Sequence, residues 1–335
     1  MTEPSGLGEF ELIRRFFIRD AGRDEPGVVL GIGDDAALLE VPEGSELVAS
    51  VDTIVAGRHF LENTGARTIG HRALAVNLSD IAAMGATPLW ATMALTLPSA
   101  DPGWLGEFAA GFMDLAQAHG VALVGGNTTR GPLTVSVQIL GHVPRGTALR
   151  RSGARAGDLL AVSGTLGDAA AGLALLQSPP PRARSGETDE LIRRFDYPEP
   201  RVQLGMSARG IASAAMDLSD GLVGDLAKMA QASGVAAHVD VERLPQSSAL
   251  RSAVDADRAR DWALAGGEDY ELLFAVPKER FGELKAAADR LNLLLTTIGE
   301  VRAGEGVTWS LNGGDFVPRV SGFDHFAQAS TQITV

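Results

Sequence analysis

The tripeptide Leu-Ser-Asp occurs twice in this chain, far apart and in similar surroundings. It lies within AVNLSDIAAMG at residues 75–85 and within AMDLSDGLVG at residues 215–224, so that Asp80 and Asp220 are 140 positions apart. That separation is too long for a short tandem repeat and suits one acid in each of two domains. The length of 335 residues is also typical of two domains. The sequence therefore predicts two domains whose acids face a common site.

A second segment has the composition of a domain boundary. PRGTALRRSGARAGD, at residues 144–158, combines proline, glycine and arginine. We therefore predict domains at residues 1–146 and 147–335. Strands and helices are mixed without regular βαβ alternation, which predicts an α+β fold made of two α/β-type domains. Helices are predicted over 7–20, 65–86, 103–119, 167–177, 201–213 and 221–233, with a solvated excursion at 178–190.

Composition excludes several classes of protein. The formal net charge is −13, from 29 Lys and Arg against 42 Asp and Glu, which argues against a nucleic-acid partner. The chain has no cysteine, so disulfides, thiolate metal sites and cysteine nucleophiles are excluded. No apolar run reaches the roughly 18 residues of a membrane span, and the first residues contain no apolar signal core. These features predict a cytoplasmic protein without a membrane partner.

The stretch GIGDDA at residues 31–36 matches a dinucleotide-binding glycine pattern after a predicted strand. Pro42 and Gly44 leave no room for the crossover helix of that fold, and Asp34 and Asp35 would direct two carboxylates at a pyrophosphate. We therefore reject this interpretation. The sequence contains no Walker A motif either, so nucleotide phosphates would have to be bound in another way.

Six acids are predicted at strand ends or helix starts beside Gly, Ser or Thr. They are Asp34, Asp35, Asp52, Asp80, Asp217 and Asp220. For each one alone, a role as a turn former or a helix cap is the favoured explanation. As a converging set without basic partners they would repel one another, and hard divalent cations bind such oxygen clusters. Mg²⁺ is favoured because it combines one or two carboxylates with waters and substrate phosphates.

Other motifs carry groups suited to phosphate chemistry. GGNTTRG, at residues 125–131, follows a predicted strand and is either a ligand-approaching backbone or a simple turn. Arg150, Arg151 and Arg155 form a basic cluster, either solvated or a phosphate clamp. AGGEDYELLF, at residues 265–274, places two acids on a glycine turn before a strand.

Eight motifs in order resemble the thiamine-monophosphate kinases, a family of the ATP-using aminoimidazole-ribonucleotide synthetase superfamily. These are GIGDDAALL, SVDTIVAGRHF, RALAVNLSDIAAMGATP, GGNTTRGPL, RSGARAGD, DLSDGLVGDL, GGEDYELLF and GFDHF, and the resemblance runs from about residue 8 to 327. The resemblance implies Mg²⁺- and ATP-dependent phosphorylation of thiamine monophosphate to thiamine diphosphate, the final step of thiamine diphosphate biosynthesis. It also implies the superfamily fold, with an N-terminal metal- and nucleotide-binding domain that pairs into a dimeric β-barrel. A C-terminal α/β domain would complete the active site of the homodimer.

The resemblance also implies roles for individual residues. The metal ligands would be Asp35, Ser50, Val51 through its carbonyl, Asp52, Asp80, Asn127, Asp217 and Asp220. ATP would contact Gly126, Asn127, Arg151 and Ser219, and thiamine monophosphate would contact His59, Glu268 and Phe323. The family often has Asp at the position of Asn127, where a neutral ligand would bind metal more weakly.

Other chemistries fit the sequence less well. Selenophosphate synthetases and hydrogenase-maturation dehydratases share the implied fold but depend on a cysteine or selenocysteine near a terminus, and this chain has none. Aminoimidazole-ribonucleotide synthetase itself fits GGEDYE and GFDHF poorly. A non-catalytic metal-binding module and a metal-dependent phosphohydrolase are the competing classes, and the hydrolase would release phosphate without an acceptor.

Overall fold

The computed structural model describes residues 9–18, 25–178 and 185–319. The chain divides into two compact units. One contains Met1–Ile81 and Ala86–Gly146, and the other contains Ala82–Gly85 and Thr147–Val335. Among the described residues, every helix is too short or too polar to cross a membrane.

The first unit begins with a helix and a small hairpin, followed by a larger sheet with two helices. Its elements are α1 (Glu9–Phe16), β1 (Val28–Leu30), β2 (Leu38–Leu39), β3 (Ser45–Val55), α2 (Ala66–Ala83), β4 (Thr87–Leu97), α3 (Pro102–His119), β5 (Ala122–Arg130) and β6 (Thr134–Pro144). The sheet has the strand order β3-β6-β4-β5. Strands β4 and β5 are parallel and are joined by α3, whereas the other neighbours are antiparallel.

Helices α2 and α3 pack together unusually closely in this unit. A Cβ atom on Gly70 would lie 2.1 Å from the Phe108 carbonyl oxygen, and one on Gly111 would lie 1.9 Å from that of Arg67. Only glycine fits at either position, because any side chain would push the two backbones apart. The helix that carries Asp80 is therefore held firmly within its unit.

The opposite face of the four-stranded sheet is only partly covered. At one end the β1–β2 hairpin covers Trp90, whose indole nitrogen donates a hydrogen bond of 2.9 Å to the Pro26 carbonyl. Along β3, Leu47 and Val51 point away from the helices and are 52% and 61% exposed. This face therefore presents apolar side chains to solvent within the described unit.

The second unit is built on a mixed sheet. Its elements are β7 (Leu159–Ser163), α4 (Asp168–Gln177), α5 (Gly186–Asp196), α6 (Val202–Ala208), β8 (Ala214–Leu218), α7 (Leu222–Ser233), β9 (Ala236–Asp240), α8 (Ser248–Ala253), α9 (Ala256–Ala265), β10 (Glu271–Val276), α10 (Phe281–Arg290), β11 (Leu295–Arg302), β12 (Gly306–Leu311) and β13 (Gly314–Phe316). The strand order is β13-β12-β9-β11-β7-β10-β8, and among the described strands the β9–β12 pair is parallel and the other pairs are antiparallel. Every residue of β8 and β10 is buried. Both units thus mix helices and sheets, and the predicted α+β fold is confirmed.

Two elements differ from the sequence prediction. Gly125–Arg130, for which a ligand-approaching backbone and a simple turn were both open, continues β5 because it pairs with β4 as far as Leu97. The predicted excursion at 178–190 overlaps α5, which begins after Ser185. The Ser185 hydroxyl accepts the Thr188 N–H at 3.2 Å and caps the helix.

Candidate active site

The first unit brings two predicted metal ligands to one helix. The Ser50 hydroxyl, on β3, donates a hydrogen bond of 2.5 Å to Oδ2 of Asp80 on α2. Two residues along the strand, the backbone N–H of Asp52 donates to Oδ1 of Asn77 at 3.1 Å. Asn77 lies one helical turn before Asp80 and is itself fully buried. These contacts place Asp52 and Asp80 along the same stretch of α2.

The alternation of β3 explains this arrangement. Ser50 and Asp52 point to one face of the strand and Val51 to the other, since side chains alternate along a strand. The Val51 side chain therefore has no part in the acid pair, and its predicted role concerns only its carbonyl. The expectation that all six acids lie at strand ends or helix starts was wrong for two of them. Asp52 lies within β3, and Asp80 lies in the last turn of α2.

The loop between β1 and β2 presents two more carboxylates. Asp34 and Asp35 are both exposed, and the Asp35 N–H donates to Oδ1 of Asp34 at 2.8 Å. Gly33 precedes them with φ of 131°, a conformation that favours glycine. The loop is thus turned locally so that two acids face outward, and the metal-binding role of Asp35 stays a prediction.

The backbone at the end of β3 fixes the tautomer of His59. Its Nδ1 accepts the Val55 N–H at 3.1 Å, so this nitrogen carries no proton and the neutral ring has its proton on Nε2. The His59 carbonyl accepts a hydrogen bond of 3.1 Å from the buried Arg72 guanidinium. The imidazole can therefore donate a hydrogen bond from Nε2, which suits an anionic ligand.

Gly126 and Asn127 lie on β5, at the strand pair with β4. A Cβ atom on Gly126 would be 1.9 Å from the Met93 carbonyl oxygen, and its φ is 150°. Glycine is therefore required at this position by the neighbouring strand, whatever ligand it contacts. Asn127 pairs with Ala94 and is exposed.

In the second unit, the repeated Leu-Ser-Asp links β8 to α7. Asp217 is buried at the end of β8, and Asp220 lies two residues before α7. The Lys228 ammonium contacts Oδ2 of Asp220 at 2.6 Å and Oδ1 of Asp225 at 2.9 Å. The sequence interpretation assumed carboxylates without basic partners, and for Asp220 this was wrong. The partner lies eight residues further along the chain, on α7.

Asp225 completes this arrangement from inside α7. Its Oδ2 accepts the Asp220 N–H at 3.0 Å, and its side chain is buried. Burial raises the pKa of Asp225, whereas the hydrogen bond and charge of Lys228 lower it. The carboxylate thus holds the turn that carries Asp220 and also anchors the ammonium group.

Glu268 lies on a backbone segment of unusual conformation. Its φ is 72° and that of Tyr270 is 50°, and L-residues rarely adopt such values. The Glu268 N–H donates to the Ser219 carbonyl at 2.9 Å, and the Tyr270 hydroxyl donates to Oε2 of Glu268 at 3.3 Å. This links two predicted ligand-binding residues, Ser219 and Glu268, within one unit. Backbone strain of this kind is typical of functional sites.

A buried charge network behind this segment was not predicted. Glu271 is fully buried and contacts Arg194 Nη2 at 2.7 Å and Arg201 Nη2 at 2.5 Å. The Ser163 hydroxyl donates to its other oxygen at 2.6 Å. Burial alone would raise the pKa of Glu271, but the two guanidinium groups and the hydroxyl lower it to about 2. The arginines are 70 or more residues from the acid in sequence, so only the fold reveals the pairing.

Asp269, between these two glutamates, holds the beginning of α4. Its carboxylate accepts the N–H groups of Gly167 at 2.6 Å and Ala169 at 3.1 Å. Burial raises the pKa of Asp269 to about 8, against the lowering effect of these hydrogen bonds. The segment from Glu268 to Glu271 is thus fixed to the rest of the unit on both sides.

The remaining predicted residues are less constrained. Arg151 has an exposed side chain, and its carbonyl accepts the Ser233 hydroxyl at 3.1 Å. The neighbouring Arg150 carbonyl accepts the Ala215 N–H at 2.9 Å, which places this segment beside β8. Phe323 and the GFDHF motif lie outside the described residues.

The donor chemistry of both units fits Mg²⁺. Carboxylates and a hydroxyl are hard oxygen donors of the type that Mg²⁺ prefers. Within each unit by itself, the described residues include no group of three His, Asp or Glu side chains close enough to hold a metal ion. Mg²⁺ itself commonly takes only one or two carboxylates and completes its shell with waters and substrate phosphates.

Two protein-family models match this chain. The family model of the AIR synthase related protein N-terminal domain matches residues 33–143, and that of the C-terminal domain matches residues 155–311. Together these matches cover most of the chain. The chain thus belongs to the AIR synthase related proteins.

Individual proteins similar to this chain identify its family within that group. Thiamine-monophosphate kinase of Salmonella typhimurium is 47% identical over 96% of this chain and 98% of its own. The crystal structure of thiamine-monophosphate kinase from Stenotrophomonas maltophilia K279a is 48% identical with a TM-score of 0.82, covering 88% of this chain and 93% of its own. A structure of AaThiL complexed with AMPPCP and TMP is 36% identical with a TM-score of 0.76, covering 88% and 92%. The chain belongs to the thiamine-monophosphate kinase family.

Proposed function

We propose that this protein transfers the γ-phosphoryl group of ATP to thiamine monophosphate and releases ADP and thiamine diphosphate. This reaction is the final step of thiamine diphosphate biosynthesis. The observation that most strongly supports this proposal is the similarity to thiamine-monophosphate kinases, at 47% identity over 96% of the chain. The related structure with bound AMPPCP, an ATP analogue, and TMP supports the same pair of substrates.

The metal is proposed to be Mg²⁺, bound by oxygen donors. The proposed ligands are Asp35, Ser50, Val51 through its carbonyl, Asp52, Asp80, Asn127, Asp217 and Asp220. When bound, Mg²⁺ neutralises phosphate charge and stabilises the charge that spreads during phosphoryl transfer. The hydrogen bond from Ser50 to Asp80 supports this assignment because it orients a carboxylate before any cation arrives.

The acceptor needs no general base. A phosphate monoester has its second pKa near 6, so thiamine monophosphate is largely ionised at neutral pH and is itself the nucleophile. The protein then has to bind and align two anions. The proposed ATP contacts are Gly126, Asn127, Arg151 and Ser219, and the proposed acceptor contacts are His59, Glu268 and Phe323. His59 supports this role because its neutral ring carries the proton on Nε2 and can donate to a phosphate oxygen.

We also propose that the first unit forms a homodimer through its four-stranded sheet, by pairing into a β-barrel. Leu47 and Val51 support this, because large apolar side chains exposed on one sheet face are typical of interaction surfaces. Sedimentation of Val51→Lys should show dissociation to monomers, with Leu294→Lys as a control at another exposed apolar residue. A wild-type monomer at micromolar concentration would contradict the proposal.

Since ATP is the donor, we place the enzyme in the cytoplasm, where ATP is made available.

The test uses purified protein with Mg²⁺ and ATP, with and without thiamine monophosphate, and measures ADP, thiamine diphosphate and phosphate. Equal amounts of ADP and thiamine diphosphate, formed only with acceptor and metal, are the expected result. ADP and free phosphate without acceptor would instead identify a phosphohydrolase. A protein that binds Mg²⁺ but shows no turnover would be a metal-binding module and would contradict the proposed reaction.

A further inference from the structure

Lys228 contacts an acid to which the proposed function assigns a metal. Its ammonium group lies 2.6 Å from Oδ2 of Asp220 and 2.9 Å from Oδ1 of Asp225. Asp225 and Lys228 are one helical turn apart on α7, and Asp220 precedes the helix. The lysine therefore occupies, with its own positive charge, one oxygen of a proposed metal ligand.

An ammonium group and a metal ion at one carboxylate oppose each other in two ways. Both are attracted to the same oxygens, and they repel each other as like charges at short range. We propose that Lys228 is an affinity-determining residue of the active site, whose ammonium competes with Mg²⁺ for Asp220. The metal then binds Asp220 tightly only when nucleotide phosphates add their negative charge. This inference rests on the metal-binding role proposed for Asp220.

The surroundings of Lys228 allow such an exchange. Its side chain is 43% exposed, so its flexible stem is free to move the charged end. Asp225 is buried and contacts the same ammonium, so the lysine keeps one partner when a metal takes Asp220. The Asp225 carboxylate also accepts the Asp220 N–H, so the turn keeps its position during the exchange. The Lys228 ammonium can thus stay in contact with Asp225 when a metal ion binds Asp220.

The experiment measures binding of Mn²⁺, a paramagnetic probe for the Mg²⁺ site, by electron paramagnetic resonance on full-length protein without nucleotide. Lys228→Met removes the charge, Lys228→Gln removes it but keeps a hydrogen-bond donor, and Lys228→Arg retains it. We expect Met and Gln to tighten Mn²⁺ binding by about fivefold, the ratio that corresponds to an ion pair of this exposure. Arg should resemble the wild type, and AMPPCP should reduce the difference between all four proteins.

Lys285→Met is the matched control, because Lys285 pairs with Asp289 on the surface of α10, in another part of the same unit. It should leave Mn²⁺ binding unchanged. Unchanged or weaker binding in both neutral Lys228 variants would overturn the competition. Weaker AMPPCP binding with unchanged Mn²⁺ affinity would overturn it too, since it would place the ammonium on a phosphate.

Asp220→Asn separates this inference from the proposed function. If Asp220→Asn weakens Mn²⁺ binding but the neutral Lys228 variants do not change it, only the competition is wrong. If Asp220→Asn has no effect on Mn²⁺ binding, Asp220 is not a ligand, and the metal assignment on which the inference rests is wrong as well.

Discussion

Replacing Glu271 by glutamine removes the carboxylate that both Arg194 and Arg201 contact. The acid is fully buried, and the two arginine side chains are 90% buried. Glu271→Gln keeps the size of the side chain and an acceptor for the Ser163 hydroxyl. It leaves two guanidinium groups facing a neutral amide in the interior, so the change tests charge rather than packing.

The expected loss of stability in Glu271→Gln follows from the pKa of Glu271. Its fall from 4.5 to about 2 in the folded protein corresponds to about 3 kcal/mol of stabilisation of the charged form. Breaking a buried ion pair by removing one partner costs a similar amount, about 3–5 kcal/mol. We therefore expect the second unit of Glu271→Gln to melt about 6–12 °C below the wild type at pH 7.

The sign of the pH dependence is fixed by the direction of the shift. Because the folded pKa lies below the unfolded value, the stabilisation is complete above about pH 4.5 and is lost as the pH falls towards 2. The difference in melting temperature between wild type and Glu271→Gln should therefore be constant from pH 7 to 5. It should shrink steadily below pH 4.5.

Differential scanning calorimetry at pH 7, 5, 4 and 3 measures this difference. Glu300→Gln is the control, because Glu300 pairs with Arg302 on the surface and exposed pairs contribute about 1 kcal/mol or less. A variant that melts with the wild type at pH 7, or a difference that does not change with pH, would refute the reasoning. The first result would mean that Asp168 and Glu199, which lie 3.9 Å from Arg194 and 3.3 Å from Arg201, are sufficient partners. The second would mean that the loss of stability does not depend on the ionisation of Glu271.

Three further predictions concern the first unit and the reaction. Asp80→Asn keeps an acceptor for the Ser50 hydroxyl, so turnover of thiamine monophosphate should be lost while the melting temperature stays within a few degrees; an active variant would contradict the metal assignment. Gly126→Ala should lower stability by about 2 kcal/mol or more in calorimetry, because its Cβ would lie 1.9 Å from the Met93 carbonyl, whereas Gly125→Ala, with its nearest contact at 3.7 Å, should be tolerated. Equal stability of the two alanine variants would be evidence against this backbone contact. Single-turnover transfer from stereochemically labelled ATP should invert configuration at phosphorus, and retention would indicate a phosphoenzyme instead of direct transfer.

Local patterns were sufficient to predict much of the fold. The strand after the glycine turn at 265–274, which is β10, and the helix over 65–86, which is α2, were predicted because each pattern is contained in the element itself. For Gly125–Arg130 a simple turn was one of two open interpretations, because paired glycines have a preference for turns when no partner strand is known. Pairing with β4 outweighs that preference.

The candidate site likewise contains residues that the sequence could predict and contacts that it could not. The Leu-Ser-Asp repeat drew attention to Asp80 and Asp220 because it is visible in the sequence. The contact of Lys228 with Asp225 follows a helical spacing of three and could have been found once α7 was predicted. The pairing of Arg194 with Glu271 could not, because it depends on how α5 lies against β10.

Asp80 occupies the end of α2 that least suits an acid. The last turn of a helix carries partial negative charge, and a carboxylate there costs about 0.3–1 kcal/mol. Selection for heat resistance alone would therefore favour replacing Asp80 by a neutral or basic residue. A library screened only for survival at high temperature should accumulate such replacements, and the hardier proteins should be inactive. The metal-binding role that we propose for Asp80 therefore requires an acid at a position where helix stability alone would favour a neutral or basic side chain.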